Sequence, residues 1–66
     1  MNIGKLKGKI AENGLNVDVL AEKIGIHRSS LYRKLDNAEK ITIGEAMKMK
    51  DALGLSNDEA YEIFLS

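Results

Sequence analysis

Apolar residues recur along the chain three and four positions apart, in short bursts punctuated by glycine and small polar residues. That rhythm predicts five helices and no strand. Ile3, Leu6 and Ile10 mark the first helix, over roughly Ile3 to Asn13, with Gly14 as its stop. Gly4 and Gly8 lie inside it and each costs about 1 kcal/mol relative to alanine, so this helix must depend on packing. Asn16 is placed as the N-cap of a short second helix, Val17 to Ile24, with Asp18 in its first turn and Gly25 at its end. A third helix runs from Arg28 to Leu35 with Leu31 and Leu35 on one face, and residues 36–40 read as a polar loop.

The last two helices open with the same device. Thr42-Ile43-Gly44-Glu45 and Ser56-Asn57-Asp58-Glu59 are capping boxes, in which hydroxyl and carboxylate satisfy each other's backbone amides. Ile43, Ala46, Met47, Lys50 and Leu53 follow the first box at mixed helical spacing, and Gly54 closes that helix. Leu55 is placed to staple against Ala60, and Ala60, Ile63 and Phe64 form the apolar side of the last helix. Met1, Met47 and Met49 read as core filler or an initiator rather than as a cofactor box.

Length bounds the fold. Sixty-six residues make one small domain spanning 1–66, whose core holds about a dozen side chains. Without cysteine there is no disulfide frame, thiolate metal site or cysteine nucleophile, and with one histidine a zinc site is not expected. Neither metal nor other cofactor is expected. Apolar runs of three residues or fewer leave no membrane span and no visible signal peptide, so a cytoplasmic location is expected by elimination. Carboxylate pairs such as Asp58-Glu59 are helix caps before they are catalytic dyads, and so short a chain argues against an enzyme.

The net charge of zero hides a strong asymmetry. Residues 1–34 carry seven lysines and arginines against three carboxylates, whereas residues 35–66 carry three against seven. One end is therefore suited to a polyanion, although small domains also acquire lopsided charge by chance. Position decides between these readings. Residues 17–35 contain a short helix, a glycine turn and another short helix, which is the template of a helix-turn-helix. Ala21 supplies the small side chain where the helices cross and Gly25 the turn. Leu20, Ile24, Ile26, Leu31 and Leu35 supply the shared apolar seam.

Gly14-Leu15-Asn16, Leu20-Ala21-Glu22-Lys23-Ile24-Gly25-Ile26 and Arg28-Ser29-Ser30-Leu31-Tyr32-Arg33-Lys34-Leu35 together resemble the lambda-repressor-like family of the Cro/cI (XRE) type. The stretch Asp51-Ala52-Leu53-Gly54-Leu55-Ser56 resembles its fourth and fifth helices. The Tyr32-Arg33-Lys34-Leu35 run and the Ile63-Phe64 ending resemble short phage-type regulators of Gram-positive bacteria. The resemblance covers nearly the whole chain. It implies an all-α, five-helix, DNA-binding fold that acts on double-stranded operator DNA, usually as a homodimer. One position departs from the pattern: Lys34 stands where many members carry an apolar residue, so Leu35 is expected to take over the packing.

In such a fold the first residues of the third helix enter the major groove. Arg28, Ser29, Ser30, Tyr32 and Arg33 then face base edges, since Leu31 and Leu35 face in. Arginine suits guanine because its fork matches the O6 and N7 acceptors. Lys34, Lys5, Lys7 and Lys9, with Asn16, Val17 and His27, suit phosphate contacts that position without reading sequence. The plain alternative for the basic residues is a solvated helix face, and for Tyr32 a half-buried ring. Histidine caps poorly, so His27 reads as a surface residue beside the turn rather than as a cap. Two functions remain: a sequence-specific DNA-binding regulator, and a protein-interaction module of antirepressor or antitoxin type that uses the same scaffold. Zero net charge favours the second mildly, and the basic third helix favours the first more strongly.

Overall fold

The computed structural model describes residues 1–65. Its helices are α1 (Ile3–Glu12), α2 (Val17–Ile24), α3 (Arg28–Asp36), α4 (Ile43–Leu53) and α5 (Asn57–Phe64), with one 3₁₀ turn at Ala38–Lys40. The polar loop expected after α3 is thus shorter than the sequence suggests. α3 gains Asp36, and Asn37 opens the 3₁₀ turn by accepting the amide of Lys40 on its carbonyl.

A single connection is used three times. Gly14-Leu15-Asn16, Gly25-Ile26-His27 and Gly54-Leu55-Ser56 each place a glycine, an apolar residue and the N-cap of the next helix in succession. Gly25 has φ 78° and Gly54 φ 63°, a region costly for any residue with a Cβ. The Gly25 and Ile26 amides return to the carbonyls of Glu22 and Ala21, and those of Gly54 and Leu55 to Asp51 and Lys50. This Schellman closure satisfies orphan carbonyls and turns the chain within two residues. Leu15, Ile26 and Leu55 pack into or against the core, which anchors each turn from below.

Both capping boxes form, with Thr42 and Ser56 accepting from the Glu45 and Glu59 amides while those carboxylates accept from the cap amides. Asn2 caps α1 by accepting the Lys5 amide at 3.0 Å. The core gathers Leu6 and Ile10 of α1, Leu20, Ala21 and Ile24 of α2, Leu31 and Leu35 of α3, Met49 and Leu53 of α4, Leu55, and Ile63 of α5. Ile26, placed in the seam by the sequence, is only half-buried against this cluster. α1 packs on α5, and the Asn2 amide donates to the Ile63 carbonyl at 2.7 Å. The apolar end of the chain therefore folds back, burying Ile63 fully and Phe64 partly.

Two expected core positions are corrected. Ile43 is 82% exposed and Met47 63% exposed, because α4 turns Met49 and Leu53 inward instead. In an 11-residue helix only one stripe meets α2, and Ile43 at its first position lies off that stripe.

Candidate nucleic-acid interface

α2 and α3 cross closely because Ala21 is buried at their contact beside Leu20, Ile24 and Leu31. That crossing presents one side of α3 to solvent. Arg28, Ser29, Tyr32 and Arg33 are exposed there and Ser30 is half-buried, whereas Leu31 and Leu35 face the core. All five residues assigned to base edges from the sequence thus lie off the buried stripe.

The start of α3 is built differently from the expectation. His27 does cap it: Nδ1 accepts the Ser29 amide at 3.2 Å and lies 2.8 Å from the Ser29 hydroxyl. With Nδ1 accepting, the ring carries its proton on Nε2, which leaves that N–H free to meet an acceptor. Poor average capping by histidine is outweighed here by position. His27 occupies the same place in its Gly-apolar-cap triplet as Asn16 and Ser56, a sequence signal that identifies it as a cap.

Lys34 also differs. Its ammonium is bonded to Glu45, whose other oxygen accepts the Thr42 amide at 2.9 Å. One carboxylate therefore caps α4 and holds the C-terminal half of α3. Burial pushes the Glu45 carboxyl up, but Lys34 and the Thr42 amide outweigh it and hold the group below its ordinary value. Leu35 takes the buried position that Lys34 vacates, and α3 extends by one residue.

Lys5 and Lys9 point toward α5, where Lys5 pairs with Glu62 and Lys9 with Glu59. The Lys9 ammonium, together with the Ser56 amide, lowers Glu59 from the usual carboxylate value to about 2. Conversely, the bond from Glu59 raises Lys9. These lysines join the first and last helices, so the N-terminal positive charge is largely consumed inside the fold.

Asn16 caps α2 by accepting the Val19 amide at 2.9 Å, while Val17 packs half-buried against the core. In the first turn of α2, Asp18 reaches across to α3. Its Oδ2 lies 3.5 Å from an Arg28 terminal nitrogen, and the Asp18 carboxylate also raises the Tyr32 pKa.

At the other end of α3, Ser30, Arg33, Lys34, Asn37 and Lys40 line a cleft of about 410 Å³. In the sequence Asn37 and Lys40 read only as part of a polar loop, because the 3₁₀ turn that brings them beside Arg33 leaves no periodic trace. A second concavity of about 420 Å³ lies between α4 and α5, walled by Ile43, Met47, Tyr61, Phe64 and Leu65, and Lys50 is the one charged side chain among its described lining residues. Among the described residues no group of three or more His, Cys, Asp or Glu gathers to hold a metal, and no helix is long and apolar enough to cross a membrane.

The sequence model of the Cro/C1-type HTH DNA-binding domain matches residues 5–64. No curated protein and no solved structure matches the chain.

Proposed function

The chain belongs to the Cro/C1-type helix-turn-helix DNA-binding family, and from that premise we propose that it is a sequence-specific transcriptional regulator which seats α3 in the major groove of operator DNA. The observation that carries this reading is the exposed, basic side of α3, held by a buried α2–α3 crossing and flanked by the Arg33–Lys40 cleft. Arg28 is the base reader, because it stands at the start of α3 and its side chain is 67% exposed. Ser29, Ser30, Tyr32 and Arg33 extend the reading surface. Phosphate falls to Lys40 and the free side of His27, with the Asn16–Val17 end of α2 on the opposite strand. Lys5, Lys9 and Lys34 reach phosphate only by leaving Glu62, Glu59 and Glu45. A phage-type repressor role is the finer form of this proposal.

Reading a pseudo-palindrome takes two copies, and the α4–α5 groove is where the second one docks. Its apolar wall carries five large exposed side chains, Met1, Ile43, Met47, Tyr61 and Leu65. Lys50 beside it faces a partner's acidic α5 in a two-fold arrangement. No groove residue belongs to α2 or α3, so groove and operator can be engaged together. The same groove favours the second reading, a protein-interaction module, should another protein occupy it.

Binding to mixed-sequence and operator-selected DNA over a range of salt tests the proposal, with sedimentation giving the stoichiometry. The proposal expects affinity to fall steeply with salt and two chains per operator, with Met47→Lys reducing the complex to one. Salt-independent or absent DNA binding, with a protein held in the groove, would establish the module instead.

A further inference from the structure

A carboxylate on a surface that meets DNA is chemically out of place, because it faces phosphates and base acceptors of its own sign. Asp18 is such a group. Its side chain is 46% exposed and lies 3.5 Å from an Arg28 terminal nitrogen, across the turn that joins α2 to α3. Arg28 and Tyr32 lie four residues apart, on one side of α3.

We propose that Asp18 is a positioning residue that sets specificity: paired with Arg28 across the α2–α3 turn, its carboxylate orients the Arg28 guanidinium and makes that arginine's contact with DNA conditional on the base it meets. The proposal rests on the reading of α3 as the groove-facing helix.

The physical case has two parts. An unrestrained arginine near DNA raises affinity for every sequence, since phosphate attraction is blind to bases. Pairing with Asp18 cancels much of that attraction. It also fixes the guanidinium plane, while donors beyond the one engaged stay available for the O6 and N7 of guanine. The second part concerns the wrong base. Where no such acceptors are offered, Arg28 must turn to phosphate and abandon Asp18, leaving a carboxylate unpaired in the negative potential of the duplex. Discrimination thus comes from a repulsive group as well as from an attractive one. The plain alternative is that Asp18 only favours the positive end of α2, which would alter melting but not base preference.

The test is Asp18→Asn, which keeps the shape and removes the charge. Binding to a selected operator and to scrambled DNA is measured across salt, alongside side-chain ¹⁵N relaxation of Arg28. The expected result is a gain on scrambled DNA of about threefold to tenfold, with a salt slope steeper by about one. Operator affinity changes less, the half-site position read by Arg28 loses its preference, and the Arg28 Nε becomes mobile. In an Arg28→Ala background the same substitution leaves the remaining preference unchanged. An equal factor on both DNAs, or an Arg28 as mobile before the change as after it, overturns the proposal. If Arg28→Ala alone leaves the operator preference intact, the groove reading falls and Asp18 falls with it. If Arg28→Ala flattens the preference and Asp18→Asn does not, only the Asp18 proposal falls.

Discussion

Truncating two aliphatic side chains to alanine separates what the hydrophobic pattern suggests from what the fold does. Leu31 has no exposed surface and lies in the α2–α3 seam, whereas Ile43, equally apolar in sequence, is 82% exposed. Leu31→Ala removes three buried carbons at about 0.8 kcal/mol each, roughly 2.4 kcal/mol of transfer free energy. The cavity left behind brings the cost to about 3–4 kcal/mol. A chain of this length holds only about 3–10 kcal/mol in total, so the variant sits near the edge of folding. A domain this small loses about 4–8 °C of melting midpoint per kcal/mol, which puts the drop at roughly 12–32 °C. Ile43→Ala, by contrast, should shift stability by less than about 0.5 kcal/mol. Urea melts followed by circular dichroism, at protein concentrations low enough to avoid self-association, measure both. Two variants within 1 kcal/mol of each other would refute the assignment of α4's inward stripe and of the seam.

Gly8 lies in α1 with nothing within 4 Å of the position a Cβ would occupy, so Gly8→Ala should stabilise by about 0.5–1 kcal/mol; a lower melting midpoint contradicts this. Lys34→Met and Glu45→Gln, combined in a double-mutant cycle, should show a coupling of about 0.5–1 kcal/mol, and additive effects would show that the pair does not hold α3 to α4. Glu59 ionises at about 2 in the folded chain against an ordinary 4.5. Its contribution is present above the ordinary value and lost as pH falls toward 2, while the raised Lys9 preserves its own share until pH rises past 10.5. Melting midpoints should therefore drop between these acid limits, and Glu59→Gln should flatten the drop; parallel profiles would exclude the pair as a cause.

Most of the fold is legible in the sequence because its signals are local. Glycine stops, capping boxes and the leucines of α3 each act within a turn of the residues that carry them, and the structure follows them to within a residue or two. What escaped depends on long-range packing. Ile43, Met47 and Met49 all read as apolar positions of α4, and the placement of α4 against α2 decides that the Met49–Leu53 stripe goes in while Ile43 and Met47 stay out. The lysines of α1 look available in sequence, yet Glu59 and Glu62 reach them because α5 folds back on α1. Average capping behaviour speaks against His27, whereas the repeated glycine-apolar-cap triplet marks its role. Nothing local links Asp18 to Tyr32, since a turn of glycine and a change of helix direction lie between them.

The central claim, that α3 reads the major groove through Arg28, is tested most directly by altering the acceptor itself. Each guanine of a selected operator is replaced in turn by 7-deazaguanine, which removes the N7 acceptor from the major groove and nothing from the phosphates. The account expects the intact protein to lose about tenfold in affinity at one guanine of each half-site, the equivalent of a bidentate contact broken. Arg28→Ala should be indifferent to that same replacement while still losing affinity as salt rises. A protein insensitive to every replacement, or an Arg28→Ala variant as sensitive as the intact chain, would contradict the account.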